Sequence, residues 1–300
     1  MLILCFAAGM LLHRSGRMPA NAPAALNSFI IHISLPALTL LYVHNMKFSL
    51  DIGFMAGMAW ISFILAAGFF WLIGRWLELP RRTAGALMLT GGLGNTSFFG
   101  LPMIEAYYGR EGIATGIIVD QLGSFLVLST LGITVAGLYS SGRPTRKEIL
   151  RRIVLFPPFI SLTAALLLLP VEYAPWFTQL LKRLGDTLAP LALLSVGLQL
   201  RLGQIASQKR NLVIGLGFKL LLAPLAICLL YVYLLGARGE AIQVTLFEAA
   251  MPPMITASII ASEHKLDPPL AALMVAIGLL LSFATLTGWW WALPRLMGAG

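Results

Sequence analysis

Gly91-Gly92-Leu93-Gly94-Asn95-Thr96-Ser97-Phe98-Phe99-Gly100-Leu101-Pro102 interrupts a run that is otherwise apolar, 83–107. Four glycines, three small polar side chains and a proline within twelve residues make a poor helix. Pro102 has no amide hydrogen to donate and clashes with the carbonyl four residues back, while the glycines soften the rest. A helix broken inside a bilayer exposes main-chain groups that lipid cannot satisfy. Such a break survives only against protein or a water-filled cavity.

A second interruption answers the first. Ala250-Met251-Pro252-Pro253-Met254 lies within another apolar run, 240–262, and adjacent prolines cannot continue a helical ladder. Two broken helices at corresponding places in two halves of a chain are the best sequence pointer to a central binding site. The half-helix N-termini offer free N–H groups and a positive dipole end, which favour an anion. The competing reading is a pair of structural kinks in a packed bundle. Their pairing favours the site.

The whole chain agrees with a lipid solvent. Its 300 residues are 58% hydrophobic and 11% charged, with a mean hydropathy of +0.86. Soluble domains are about 45–50% apolar and about 25% charged. So little charge could not cover a water-facing surface. Period-two alternation, the mark of a membrane β-barrel, is absent. The expectation is an all-α membrane protein of ten transmembrane helices over 1–12, 25–44, 52–75, 83–107, 113–139, 150–170, 180–200, 211–235, 240–262 and 269–293. The seventh is the weakest, because Lys182, Arg183 and Asp186 intrude near its start. The first is short for a full span and has no basic residue before it, which argues against a secretory signal.

Lys and Arg outnumber Asp and Glu by 21 to 12, giving a net charge of +9. The basic residues are scattered over short loops, which excludes the clustered patch of a nucleic-acid binder. Fourteen of the 21 fall in alternate loops, richest at 143–152. The positive-inside rule then puts those loops in the cytoplasm and both termini outside, in a bacterial inner membrane.

Punctuation suggests an internal repeat. Pro36 and Pro190 are 154 residues apart, and Pro102 and Pro253 are 151 apart. Five spans per half is an odd number, so the second half enters with opposite orientation. The halves are 1–142 and 143–300, an inverted five-plus-five repeat with no separate soluble domain.

Ionisable residues within spans are costly and mark function by default. Lys219 reads as a counter-charge for an anionic substrate or a carboxylate partner, or as a snorkelling side chain. Asp120 and Glu248 are candidates for a coupling ion or proton, against a buried structural pair and an interfacial glutamate. Gln121 offers a donor to a carboxylate. No His, Cys or carboxylate cluster suggests a metal, no phosphate-binding loop suggests ATP, and no cofactor or catalytic constellation is visible. An enzyme is not expected. Cys5 and Cys228 read as small buried hydrophobes.

Asn95-Thr96-x-x-x-Gly100-x-Pro102 followed by Tyr108-Gly109, with Leu26-Asn27 through Leu35-Pro36, Gln121 and Ala249-Ala250-Met251-Pro252, resembles the auxin efflux carrier family. That family includes the plant PIN-formed proteins and many bacterial relatives, and the likeness covers nearly the whole chain. It implies the ten-helix inverted repeat with broken helices four and nine crossing at their prolines, carboxylate-bearing organic anions as cargo, and homodimers. It also implies a substrate path along Asn95, Pro102, Pro252 and Pro253. Thr96, Ser97, Gln121 and Lys219 complete the expected substrate site, with Asp120 and Glu248 for proton or sodium coupling. The long central loop of many plant members is missing, so their regulation does not carry over. The resulting expectation is a secondary carrier of small organic anions working by alternating access. The rivals are a sodium-coupled bile-acid-type symporter on the same fold and a non-transporting sensor.

Overall fold

In a computed structural model of the protein, the described residues are helical apart from turns and one short main-chain pairing. The structure describes residues 2–16, 18–19, 21–44, 51–140, 147, 150–151, 154–199 and 205–298. The expected boundary at 142/143 lies outside the described residues, as do the loop cations Arg17, Lys47, Arg143, Arg146, Arg152 and Arg201.

The helices are α1 (Leu2–Ser15), α2 (Ala22–His44), α3 (Asp51–Trp76), α4 (Arg81–Gly92), α5 (96–108) and α6 (Arg110–Tyr139). They continue with α7 (Pro157–Leu167), α8 (Pro175–Gly185), α9 (Leu188–Gln199), α10 (205–234), α11 (Glu240–Ala249), α12 (Ile255–Glu263) and α13 (Pro268–Leu296). Five are long and apolar enough to cross a membrane: α2, α3, α6, the Gln208–Leu234 part of α10, and α13. The fourth and ninth expected spans are each two short helices, α4 with α5 and α11 with α12, broken where Gly-Asn and Pro-Pro stand.

The seventh span departs from expectation. Its charged start belongs to a separate helix, α8, on which Lys182 and Arg183 are exposed. The chain turns at Asp186 and Thr187, and the apolar run begins only at Leu188. Three of the long helices also contain π turns, at Ile30–Ser34 in α2, Val119–Ser124 and Leu128–Gly132 in α6, and Phe218–Leu222 and Leu229–Leu234 in α10.

The chain condenses into two compact units, each drawn from both halves of the sequence. The first comprises Met1–Ser49, Ser97–Ile117 and Leu150–Leu200. Within it α1 crosses α9 at Gly9 and Gly197, where a Cβ on either would strike the carbonyl of Leu194 or Phe6. Small residues allow such close helix contact in membranes. Buried hydroxyls are satisfied locally, with Ser34 bonded to Thr187 at 2.7 Å and Ser195 donating to Asn27 Oδ1 at 2.6 Å. Arg110 pairs with Glu105 at 3.3 Å and Asp186 at 3.0 Å, exposed contacts worth little to stability.

The second unit comprises Leu50–Thr96, Ile118–Ile149 and Arg201–Gly300. Its core joins Phe63, Leu89, Leu93, Val127 and Ile260, and a second cluster joins Phe70, Leu87, Phe218 and Met274. Gly91 and Gly92 face Phe70 and Phe63 of α3 so closely that any side chain there would displace a ring. At one end Asp267, with φ of 44°, caps α13 through Leu270 N. The same carboxylate accepts from Thr83 at 2.8 Å and Gln208 at 3.3 Å, tying α4, α10 and α13 together.

Candidate functional site

Both interruptions lie in the second unit and meet there. Leu93 leaves α4 with an extended backbone (φ −114°, ψ 125°), and Met254 enters α12 extended as well (φ −69°, ψ 131°). Asn95 N donates to Pro252 O at 2.8 Å, and Met254 N donates to Leu93 O at 3.0 Å. Gly94 and Pro253 thus form one antiparallel bridge. The two breaks satisfy each other's main chain, which lipid could not do. Proline at 253 loses nothing, since its missing amide is not required by either bond. Gly278 of α13 lets Pro253 approach, for a Cβ there would lie 2.6 Å from Pro253 Cδ.

Side chains gather around this joint. Asn95 is 1% exposed and its Nδ2 has no partner. Thr96 Oγ1 donates to Asp120 Oδ1 at 2.6 Å. Asp120 and the neighbouring buried Gln121 stand on the first π turn of α6. Lys219, 2% exposed on a π turn of α10, donates from Nζ to Ala249 O at 2.8 Å. Ala249 ends α11, so this carbonyl is one that a helix leaves unpaired. A Cβ at Gly94 would sit 3.3 Å from that Nζ, so glycine keeps the ammonium's space open.

Glu248 is fully buried, and neither carboxylate oxygen has a hydrogen-bond partner. Lys219 and Asp120 are the charged groups that act on it. Two carboxylates and one ammonium leave the cluster one positive charge short of neutrality. A buried charge without a partner is expensive, so the cluster is built to accept a positive charge. The start of α12 adds an opposite tendency. No side chain caps it, and its first amides have no partner within the helix.

Set beside known proteins, residues 1–290 match the family described as membrane transport protein. The chain belongs to that family, the auxin efflux carriers. An uncharacterized transporter of Methanothermobacter thermautotrophicus is 26% identical over 287 residues, covering 94% of this chain and 92% of its own. An uncharacterized transporter of Methanocaldococcus jannaschii is 27% identical over 277 residues, covering 89% of each chain. With its apolar helices, this auxin efflux carrier relative is an integral multi-pass membrane protein of a transporter family.

Of the expected site residues, Asn95, Thr96, Asp120, Gln121, Lys219, Glu248, Pro252 and Pro253 all belong to the second unit. Ser97 and Pro102 belong to the first, where Pro102 lines a small recess with Tyr42, Glu105 and Gly185. The snorkelling reading of Lys219 and the interfacial reading of Glu248 are both corrected, because each is fully enclosed. Ala249 was missed as a polar partner. It acts through a carbonyl, and only its place before a double proline marks it as a helix end. Among the described residues no three His, Cys, Asp or Glu gather as a metal site would require.

Proposed function

We propose that this auxin efflux carrier relative is a secondary carrier of small carboxylate-bearing anions, working by alternating access with the binding site on the unit that holds both interruptions. The ten crossings would form an inverted five-plus-five repeat with both termini outside. The observation that carries the reading is the buried, unpartnered Nδ2 of Asn95 beside a main-chain crossing that ends two helices and begins two more. A buried donor left without an acceptor costs about 1–3 kcal/mol, and a carboxylate oxygen supplies that acceptor. The uncapped N-terminus of α12 adds dipole attraction.

Charge argues for a proton as co-passenger. An anion entering a cluster that already has one excess negative charge is repelled, unless Glu248 takes up a proton. Protonated, its carboxyl becomes a donor to the cargo and the repulsion is removed. Lys219 and Asp120 are the charged neighbours that set this balance.

The test is a thermal-shift screen of small carboxylates on purified protein, followed by flux in proteoliposomes. A ligand that stabilises the wild type should bind about 10- to 100-fold more weakly to Asn95→Ala, the loss of one charge-assisted hydrogen bond. A hit with unchanged affinity in Asn95→Ala removes that side chain from the site. Binding without flux in liposomes would make the protein a sensor.

A further inference from the structure

We infer that the Lys219 ammonium fills, from within the chain, the position that a coupling sodium ion would need, so that this carrier has no use for sodium. The inference rests on reading the crossing as a carrier's binding site and concerns which cation that site accepts.

In carriers with broken helices, a monovalent cation is held by carbonyls at half-helix C-terminal ends and by unwound backbone nearby. The second unit offers such a set. Ala249 O closes α11, the Glu248 carboxylate precedes it with both oxygens unpartnered, and Asp120 is the other charged acceptor acting on Glu248. The group bonded to the helix-end carbonyl is Lys219 Nζ, at 2.8 Å. An ammonium is a compact unit charge with three donors and no acceptor, electrically the equivalent of the ion it replaces.

Three features keep it there. The side chain is 2% exposed, enclosed by protein at its place on the π turn of α10. Gly94 faces it with a hydrogen, where a methyl group would come within 3.3 Å of Nζ. The tether also holds the charge at an effective concentration in the millimolar range or higher. Sodium would have to expel a group that is covalently tethered at the helix-end carbonyl. What remains open is the smaller demand of the Glu248 oxygens, and a proton meets it.

The experiment is thermal unfolding of the detergent-solubilised full chain in sodium, potassium or N-methylglucamine chloride at constant ionic strength, without organic anion. The wild type should unfold at the same temperature in all three. Lys219→Met vacates the site and should show a saturable rise of about 3 °C or more in sodium or potassium. Lys219→Gln, which keeps a donor for Ala249 O and drops the charge, is run beside it and should respond in the same direction. Adding Glu248→Gln to either should abolish the rise. A variant recoverable only from sodium or potassium buffer counts for the inference. Wild type stabilised specifically by sodium overturns it, as do two Lys219 variants indifferent to every cation. A carboxylate series in the same assay keeps the readings apart, since a wild type indifferent to all carboxylates overturns the anion reading alone.

Discussion

Gly278→Ala tests whether the crossing is a rigid joint. The substitution adds one methyl group to α13, against Pro253 and Leu216. Its Cβ would lie 2.6 Å from Pro253 Cδ and 2.9 Å from Leu216 Cδ2. Ordinary contact begins near 3.4 Å, so Pro253 must retreat by about 0.8 Å. Overpacking of this kind costs about 1–3 kcal/mol. Each of the two bonds that hold the crossing, Asn95 N to Pro252 O and Met254 N to Leu93 O, contributes about 0.5–1.5 kcal/mol net. The strain therefore matches or exceeds one such bond, whereas α13 is a continuous ladder of 29 residues. The crossing should yield first. Thermal unfolding should fall by about 2–10 °C, and carboxylate affinity should drop although no polar group has been altered. Gly288→Ala is the control, in the same helix with nothing within 4 Å of the added atom. Its stability should be unchanged or slightly raised, because alanine has fewer unfolded conformations. Equal behaviour of the two variants would refute the claim that Pro253 is held by close packing.

Glu248→Gln keeps the shape of a fully buried side chain and removes its titration. Carboxylate binding by the wild type should weaken as pH rises and Glu248 loses its proton, while the variant should bind with a flat pH profile in calorimetry. A pH dependence that survives the substitution would assign the proton elsewhere. Asp267→Ala removes the cap of α13 and leaves Thr83 and Gln208 without their acceptor. Unfolding temperatures should report a loss of about 1–3 kcal/mol, and a loss below about 0.5 kcal/mol would show that solvent replaces the carboxylate.

Much of the site was legible because lipid makes polar residues conspicuous. Asn95, Asp120, Lys219 and Glu248 stand out in apolar runs for the same reason that they are costly to bury, and all four surround the joint. The breaks were legible because proline and glycine act on the main chain directly. Three things were not. Partners made of main-chain atoms, such as Ala249 O, leave no compositional trace. The π turns that present Asp120 and Lys219 depend on tertiary packing, and neither Val119–Ser124 nor Phe218–Leu222 contains a residue that demands one. Ser97 and Pro102 lie in the same glycine-rich stretch as Asn95 yet join the first unit, because half-helix α5 continues away from the break. The split between α8 and α9 was missed for a related reason. In the sequence Lys182 and Arg183 look like intrusions at the start of a span, whereas they belong to a helix of their own.

The bridge between Gly94 and Pro253 is stitched by amides and carbonyls alone. A seam of that kind is indifferent to the side chains hung from it. Residue 95 can be exchanged while its nitrogen still reaches Pro252, so the fastening and the specificity are written in separate alphabets. If Asn95 meets the cargo as proposed, preference can drift through position 95 without redrawing the frame, and a search for altered selectivity should begin there.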